Sequence, residues 1–206
     1  LSETARAIGA VNTIVRRTDG TLWGDNTDAY GFSMLVQSSG AEIRGKKALI
    51  FGSGGASATA QYVLRQMGAR EVVVISRHGT NSYENLDRHA DTEIAVNTTP
   101  VGMYPKENLA PLHYLPHKTE YVFDAIYNPP VTATMRLANP RKTATRDGLY
   151  MLVMQAAHAQ TIWSGVTFEP ASCETILRRT YGKMAVKDLN GDTKINKEDR
   201  VGVLNW

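Results

Sequence analysis

Apolar residues fall into short unbroken runs separated by longer mixed or one-sided segments. Ala48-Leu49-Ile50-Phe51 stops abruptly at Gly52, and an alanine-rich stretch follows from residue 56. That order predicts a strand, a tight turn and a helix. The Val-rich run 71–75 closes one βαβ unit and suits a parallel strand buried on both faces. Residues 93–96 and 120–127 predict further strands, and 142–146 a last one. Between them, 79–92 is polar and reads as a loop with a short helix. Asn128-Pro129-Pro130 ends the 120–127 run, with a short helix expected over 132–138. Upstream, the runs 10–16 and 21–23 flank Thr18-Asp19-Gly20, which is hairpin chemistry. A helix is expected over 29–38, and Ser2 is placed to cap one whose last turn is 5–8. Residues 149–163 are apolar nearly all round, the mark of a buried helix. A final helix spans 168–181, with Pro170 in its first turn. Strands alternating with helices place the chain in the α/β class with a parallel sheet.

The turn after the first parallel strand carries the clearest chemistry. It reads Gly52-Ser53-Gly54-Gly55-Ala56-Ser57. Gly52 can take the positive φ of a tight turn, and Gly54 and Gly55 present no Cβ to an approaching pyrophosphate. The helix opening near Ala56 aims free N–H groups and its positive dipole end at that anion. The third position of the dinucleotide fingerprint is Ser57 rather than glycine, and it is still small enough for close helix–strand packing. An ordinary glycine turn after a buried strand is the alternative. At the end of the 71–75 strand stand Ser76 and Arg77. A fold that prefers NAD places an acid there, against the ribose 2′-hydroxyl, whereas an arginine suits the 2′-phosphate of NADP. A solvent-facing arginine is the alternative. Asn97-Thr98-Thr99-Pro100-Val101-Gly102-Met103 follows the 93–96 strand, on the edge where open α/β sheets bind ligands.

Two polar groups stand out elsewhere. Asn12, Asp25, Asn26, Thr27 and Asp28 gather at the far ends of the hairpin. They form either a turn with an N-cap or a set of donors and acceptors for a hydroxylated substrate. Gln155 lies in the apolar 149–163 segment and needs partners, which a ligand, backbone or water could supply. Gly148 and Gln155 are two turns apart and share a face.

Composition narrows the class. The 206 residues are 42% hydrophobic and 21% charged, ordinary for a globular protein. A net charge of +3 with no Lys/Arg cluster gives no reason to expect nucleic acid as a partner. Cys173 is the single cysteine, so a disulfide framework and a cysteine zinc site are excluded, which fits a cytoplasmic location. No apolar run approaches a membrane span, and the opening residues do not read as a signal peptide. Leu1-Ser2-Glu3-Thr4 reads as the middle of an element, and a missing N-terminal portion is expected.

Residues 188–199 place oxygen-bearing side chains at positions 1, 3, 5, 9 and 12 of a calcium loop, with the apolar Ile195 at position 8, and make Asp188, Asn190, Asp192, Lys194 (position 7) and Asp199 candidate ligands. The spacing resembles an EF-hand and most of all a dockerin repeat. Thr193 replaces the glycine of position 6, and Asp199 replaces a glutamate. These departures, and the presence of one repeat rather than two, argue against a cohesin-type partner. A solvated polar tail is the alternative.

Three separated stretches together resemble the shikimate dehydrogenase family: Ala10-Val11-Asn12-Thr13 with Gly24-Asp25-Asn26-Thr27-Asp28, then 52–57, then 97–103. Asp124 to Tyr127 and residues 148–157 extend the match over roughly residues 1–182. The resemblance implies a Rossmann-type doubly wound parallel sheet, with a remnant of an N-terminal substrate-binding α/β domain. It divides the chain into a substrate-domain remnant (1–32), an NADP-binding domain (33–147), helices packing back on the substrate domain (148–182), and a tail (183–206).

It also implies NADP-dependent reduction of 3-dehydroshikimate to shikimate, a step of aromatic amino acid and chorismate biosynthesis. Asn12, Asp28, Tyr127 and Gln155 would hold the substrate, with Asp28 the carboxylate of the family's catalytic Lys–Asp pair. Gly52, Ser53, Gly54, Gly55 and Ala56 would bind the pyrophosphate, and Ser76 and Arg77 the 2′-phosphate. Thr98, Met103, Ala125 and Gly148 would flank the cofactor. The first lysine of this chain is Lys46, so the family's lysine, which precedes the Asn12 stretch, is not in it. Little or no turnover is therefore expected of these 206 residues. The rivals are an NAD-dependent quinate/shikimate dehydrogenase and a calcium-dependent interaction module on an inactive dinucleotide-binding scaffold. The sequence leaves a homodimer open.

Overall fold

The computed structural model describes residues 1–77 and 79–184. The calcium-loop reading over 188–199 lies outside the described residues. Helix α1 (Glu3–Ile8) leads into strands β1 (Thr13–Arg16) and β2 (Leu22–Asp25), then helix α2 (Thr27–Ser38). Strand β3 (Lys47–Phe51), helix α3 (Gly55–Gln66) and strand β4 (Glu71–Ile75) form the βαβ unit. A 3-10 turn at Tyr83–His89 precedes strands β5 (Ile94–Asn97) and β6 (Tyr121–Asp124). Helix α4 (Ala133–Arg136), strand β7 (Ala144–Arg146), and helices α5 (Leu149–Ser164) and α6 (Pro170–Met184) complete the order.

β1 and β2 pair antiparallel as a hairpin. The other strands form a five-stranded sheet in the order β4-β3-β5-β6-β7. Each neighbouring pair in it is parallel. Strand β3 has neighbours on both sides and is buried at every position. Its side chains alternate between two cores. Ala48 and Ile50 join Phe32, Leu35 and Val36 of α2 and Val63 and Leu64 of α3. Leu49 and Phe51 face the other way, onto Leu86, Leu112 and Met135. Helices and turns thus cover both faces, the arrangement that parallel strands require.

The chain after β3 crosses to β4 on one side, and the chain after β4 crosses to β5 on the other. The switch point of the doubly wound sheet is therefore the crevice between the carboxyl ends of β3 and β5.

Three expectations change. The strand expected over 120–127 stops at Asp124, because its carboxylate accepts the Ile126 N–H at 3.0 Å and turns the backbone out of the ladder. The helix expected to be buried all round is not. In α5, Val153 and Met154 pack against Cys173 of α6, whereas Leu152 and Trp163 stay 37% and 52% exposed. Two neighbouring helices cover only part of its circumference. The N-cap of α2 is also unlike the expected one. Asn26 occupies the cap position, but its side chain makes no cap hydrogen bond. Asn12 supplies that bond from the hairpin, its Oδ1 accepting the Thr27 N–H at 2.9 Å.

Gly31 sets how closely α2 and α5 approach. A Cβ there would lie 2.5 Å from the Met151 carbonyl oxygen and 2.9 Å from Gln155 Cβ. Alanine favours a helix interior over glycine by about 1 kcal/mol, but a backbone carbonyl cannot swing aside. Gly31→Ala is expected to lower stability by about 1–3 kcal/mol, the usual range for overpacking. Urea unfolding measures it, and a neutral or stabilising result contradicts the close approach.

Candidate active site at the sheet edge

The glycine turn at the switch point is shaped as an anion cradle. Gly52 has φ +106°, a conformation that side chains other than hydrogen disfavour. Its N–H donates to Ile75 O at 2.9 Å. A Cβ on Gly52 would lie 3.0 Å from both Thr98 Oγ1 and Thr99 Cγ2. Thr98 is itself held by its hydroxyl and its N–H, both donating to Phe51 O, at 2.7 Å and 2.9 Å. Above the turn the space is open: nothing lies within 4 Å of a Cβ built on Gly54 or Gly55. Gly54 caps α3 with no side-chain bond to its first turn, so that turn's donors suit an anion. Ser57 is fully buried under the helix, as expected of a small third position.

Beside this cradle, past the end of β4, Arg77 lines a groove of about 560 Å³ with Gly79, Thr80, Ser82, Tyr83 and Glu84. Arg77 thus stands at the strand end, as the sequence predicts. Burial raises the Tyr83 hydroxyl pKa, and the Arg77 charge counters this. Tyr83 stacks on Phe51, with ring centroids 6.2 Å apart. Glu84 was not foreseen. The sequence shows no acid directly after β4, but the 3-10 turn carries one back to the same groove.

A second polar group forms where the hairpin meets α2 and α5. Asn12 Oδ1 also accepts from Thr13 Oγ1 at 3.0 Å, and its side chain acts on the Asp28 carboxyl, favouring the charged form. The Thr27 hydroxyl lies 3.2 Å from Asn12 Oδ1 and 3.2 Å from Gln155 Oε1. Gln155 Nε2 donates to Leu152 O at 3.2 Å. The partners left open for Gln155 are thus backbone and a threonine hydroxyl. Burial raises the Asp28 carboxyl pKa, and the Asn12 side chain opposes the shift.

Asn12, Asp28 and Gln155 are therefore brought together. Tyr127 is not. Its ring is exposed on the loop after β6, and no hydrogen bond joins it to the other three among the described residues. Met103 is likewise exposed, on the turn after β5. Gly148 does meet Ala125. A Cβ on Gly148 would lie 2.1 Å from Ala125 O, and the Gly148 N–H donates to Ile126 O at 2.9 Å.

Beneath these loops lies a buried network to which the sequence reading assigned no role. Asn97 Nδ2 donates to both carboxylate oxygens of Asp124, at 3.0 and 3.1 Å. Thr132 Oγ1 donates to the same carboxylate at 2.7 Å. Asn97 Oδ1 accepts the Thr99 N–H at 3.0 Å and the Thr99 hydroxyl at 2.7 Å. The signal in the sequence was an aspartate closing an otherwise apolar strand, since buried acids are kept only where donors meet them.

Burial pushes the Asp124 carboxyl up to about 6, against the pull of its hydrogen bonds from Thr132, Ile126 and Asn97. The folded protein therefore holds this proton from the unfolded value of 3.8 up to about 6. The Asp124 contribution to stability is full below that window and falls as pH rises through it, by about 3 kcal/mol. Urea unfolding at pH 4.5 and 6.5 is expected to show a smaller loss across this range in Asp124→Asn than in the unaltered chain. An equal loss in both contradicts the raised carboxyl.

No family model matches the chain. Single proteins do. It is 34% identical over 190 residues to the shikimate dehydrogenase (NADP(+)) of Clostridium perfringens strain SM101, covering 85% of this chain and 70% of that one. The crystal structure of a chorismate mutase/shikimate 5-dehydrogenase fusion protein from Clostridium acetobutylicum superposes with a TM-score of 0.81 at 31% identity, covering 89% of this chain and 71% of the other. The shikimate 5-dehydrogenase of Thermus thermophilus, in complex with NADP(H) and shikimate, has a TM-score of 0.71 at 30% identity and covers 86% and 71%. Shared sequence and shared fold over this much of each relative establish that the chain belongs to the shikimate dehydrogenase family.

Proposed function

We propose that the chain is the NADP-dependent part of an enzyme that reduces 3-dehydroshikimate to shikimate. The observation that carries this reading is the pairing of two sites along one sheet edge. A glycine cradle with an uncapped helix end suits a pyrophosphate. A cluster of Asn12, Thr27, Asp28 and Gln155 suits a small polyhydroxylated acid. The residues present fit a dinucleotide: Gly52–Ala56 for the pyrophosphate, Ser76 and Arg77 for the 2′-phosphate, Thr98 and Met103 on the turn flanking the cofactor, and Ala125 and Gly148 by the nicotinamide. The nicotinamide supplies the hydride when bound.

The chain's own groups orient the substrate. Asp28 accepts a substrate hydroxyl, and Asn12 and Gln155 hold neighbouring ones, each already steadied by Thr27. Tyr127, exposed on its loop, is free to meet the same ligand. Among the described residues no cation pairs with Asp28, and the first lysine is Lys46. Among the described residues no lysine pairs with Asp28 to give the proton that must reach the developing alkoxide, which supports low turnover. Residues 1–32, 33–147 and 148–182 serve as part of a substrate domain, the cofactor domain and returning helices. The single buried cysteine suits a reducing cytoplasm.

Glu84 favours a second reading, an NAD-dependent quinate/shikimate dehydrogenase, because a carboxylate in that groove can accept a ribose 2′-hydroxyl. Fluorescence titration with NADPH and NADH separates the two. The NADP reading expects NADPH to bind at least about tenfold more tightly, as a charge-assisted arginine–phosphate pair allows. Arg77→Ala removes the difference and leaves NADH affinity unchanged. Equal affinities, or a preference for NADH lost in Glu84→Gln, support the NAD reading. We further propose calcium binding at Asp188, Asn190, Asp192, Lys194 and Asp199, on their spacing alone. Calorimetry of the chain with millimolar Ca²⁺ is expected to show heat that Asp188→Ala abolishes; no heat removes the site.

A further inference from the structure

Two buried carboxylates stand beside the cofactor seat without belonging to it. Asp124 ends β6 and is followed by Ala125. Asp147 follows β7 and precedes Gly148. The backbones of Ala125 and Gly148 touch, so the acids flank one seam at the sheet edge. Asp124 is wholly buried and Asp147 is 7% exposed.

Their partners are donors. Asp124 accepts from Asn97, Thr132 and the Ile126 N–H. Asp147 accepts the Tyr181 hydroxyl at 2.7 and 2.6 Å and the Leu149 N–H at 2.8 Å. Burial raises the pKa of both carboxyls, and these donors oppose the shift by favouring the charged form. The Asp147 charge reaches Asp124 and raises its pKa, while the Arg146 charge lowers that of Asp147.

We propose that Asp124 and Asp147 make the dinucleotide seat favour the oxidised cofactor, NADP⁺, over NADPH. The inference rests on the cofactor reading above, in which Ala125 and Gly148 border the nicotinamide. The two redox forms share every phosphate and differ by one positive charge, which lies on that ring. A fixed negative field beside the ring therefore acts on their difference and cancels from everything they share. In a site of low effective dielectric such a field is strong and poorly screened. Neither aspartate needs to touch the ring or the substrate. Their hydrogen bonds hold them in place, and the fold has already met the cost of burying them.

The experiment measures the dissociation constants of NADP⁺ by calorimetry and of NADPH by fluorescence, on the 206-residue chain and its variants. In Asp147→Asn and in Asp124→Asn, the preference for NADP⁺ is expected to fall by about three- to tenfold, the scale of one charge acting at medium range. Tyr181→Phe keeps both charges and loosens the contact, so its preference stays unchanged; a merely structural role would move all three alike. An unchanged preference in a folded asparagine variant that still binds both forms overturns the proposal. Failure of the unaltered chain to bind either form overturns the cofactor reading, and this inference with it. If neither asparagine variant folds, an Asp28→Asn chain carries the test, since Asp28 is the raised carboxyl that faces the substrate cluster. Its preference is expected to drop between pH 8 and pH 5.5 as Asp124 takes up its proton, and a constant preference overturns the proposal.

Discussion

The pairing of Asn97 with Asp124 is the interaction on which the ligand edge depends. It joins the carboxyl ends of two neighbouring parallel strands at a point where the backbone ladder runs out. From there the hydrogen bonds branch. One arm passes through Asn97 Oδ1 to Thr99, whose neighbour Thr98 packs on Gly52 and so shapes the anion cradle. The other passes through Thr132, which caps α4 by accepting the Met135 N–H. A third holds the Ile126 N–H, whose carbonyl in turn receives the Gly148 N–H at the start of α5. One buried carboxylate thus sets the relative positions of three loops. Burying it is unfavourable, as its raised pKa records. The fold tolerates this because donors meet both oxygens of the carboxylate.

The polar cluster of Asn12, Thr27 and Gln155 is organised by a different constraint, the absence of a side chain at Gly31. Because α2 can press its backbone against α5 there, Gln155 comes within reach of Thr27. Asn12, arriving from the hairpin, completes the first turn of α2 in place of its own cap residue. The amide that caps the start of α2 therefore sits next to Asp28, one residue past Thr27.

Much of this was legible beforehand. Every strand of the parallel sheet overlaps the run expected of it, including the short β7. The glycine turn, the small Ser57 and the arginine after β4 also stand where their spacing placed them. These are local features: a buried parallel strand needs a continuous apolar run, and a tight turn with positive φ needs glycine. Glu84 and the Asp147–Tyr181 contact were not legible, because they join residues through loops and helices of no fixed path. The exposure of Leu152 and Trp163 was missed for a related reason, since an apolar helix shows what it could bury and not how much its neighbours cover.

The sequence by itself determined the class of the fold, its family and the shape of the glycine turn, since strand burial, turn geometry and close backbone approach each demand particular residue types at short range. The tertiary structure decided which polar groups meet. It drew Asn12, Asp28 and Gln155 together and left Tyr127 apart, and it set two aspartates on either side of the Ala125–Gly148 seam. A hydrogen bond needs a partner at about 3 Å, and along a folded chain that partner is chosen by packing rather than by nearness in sequence.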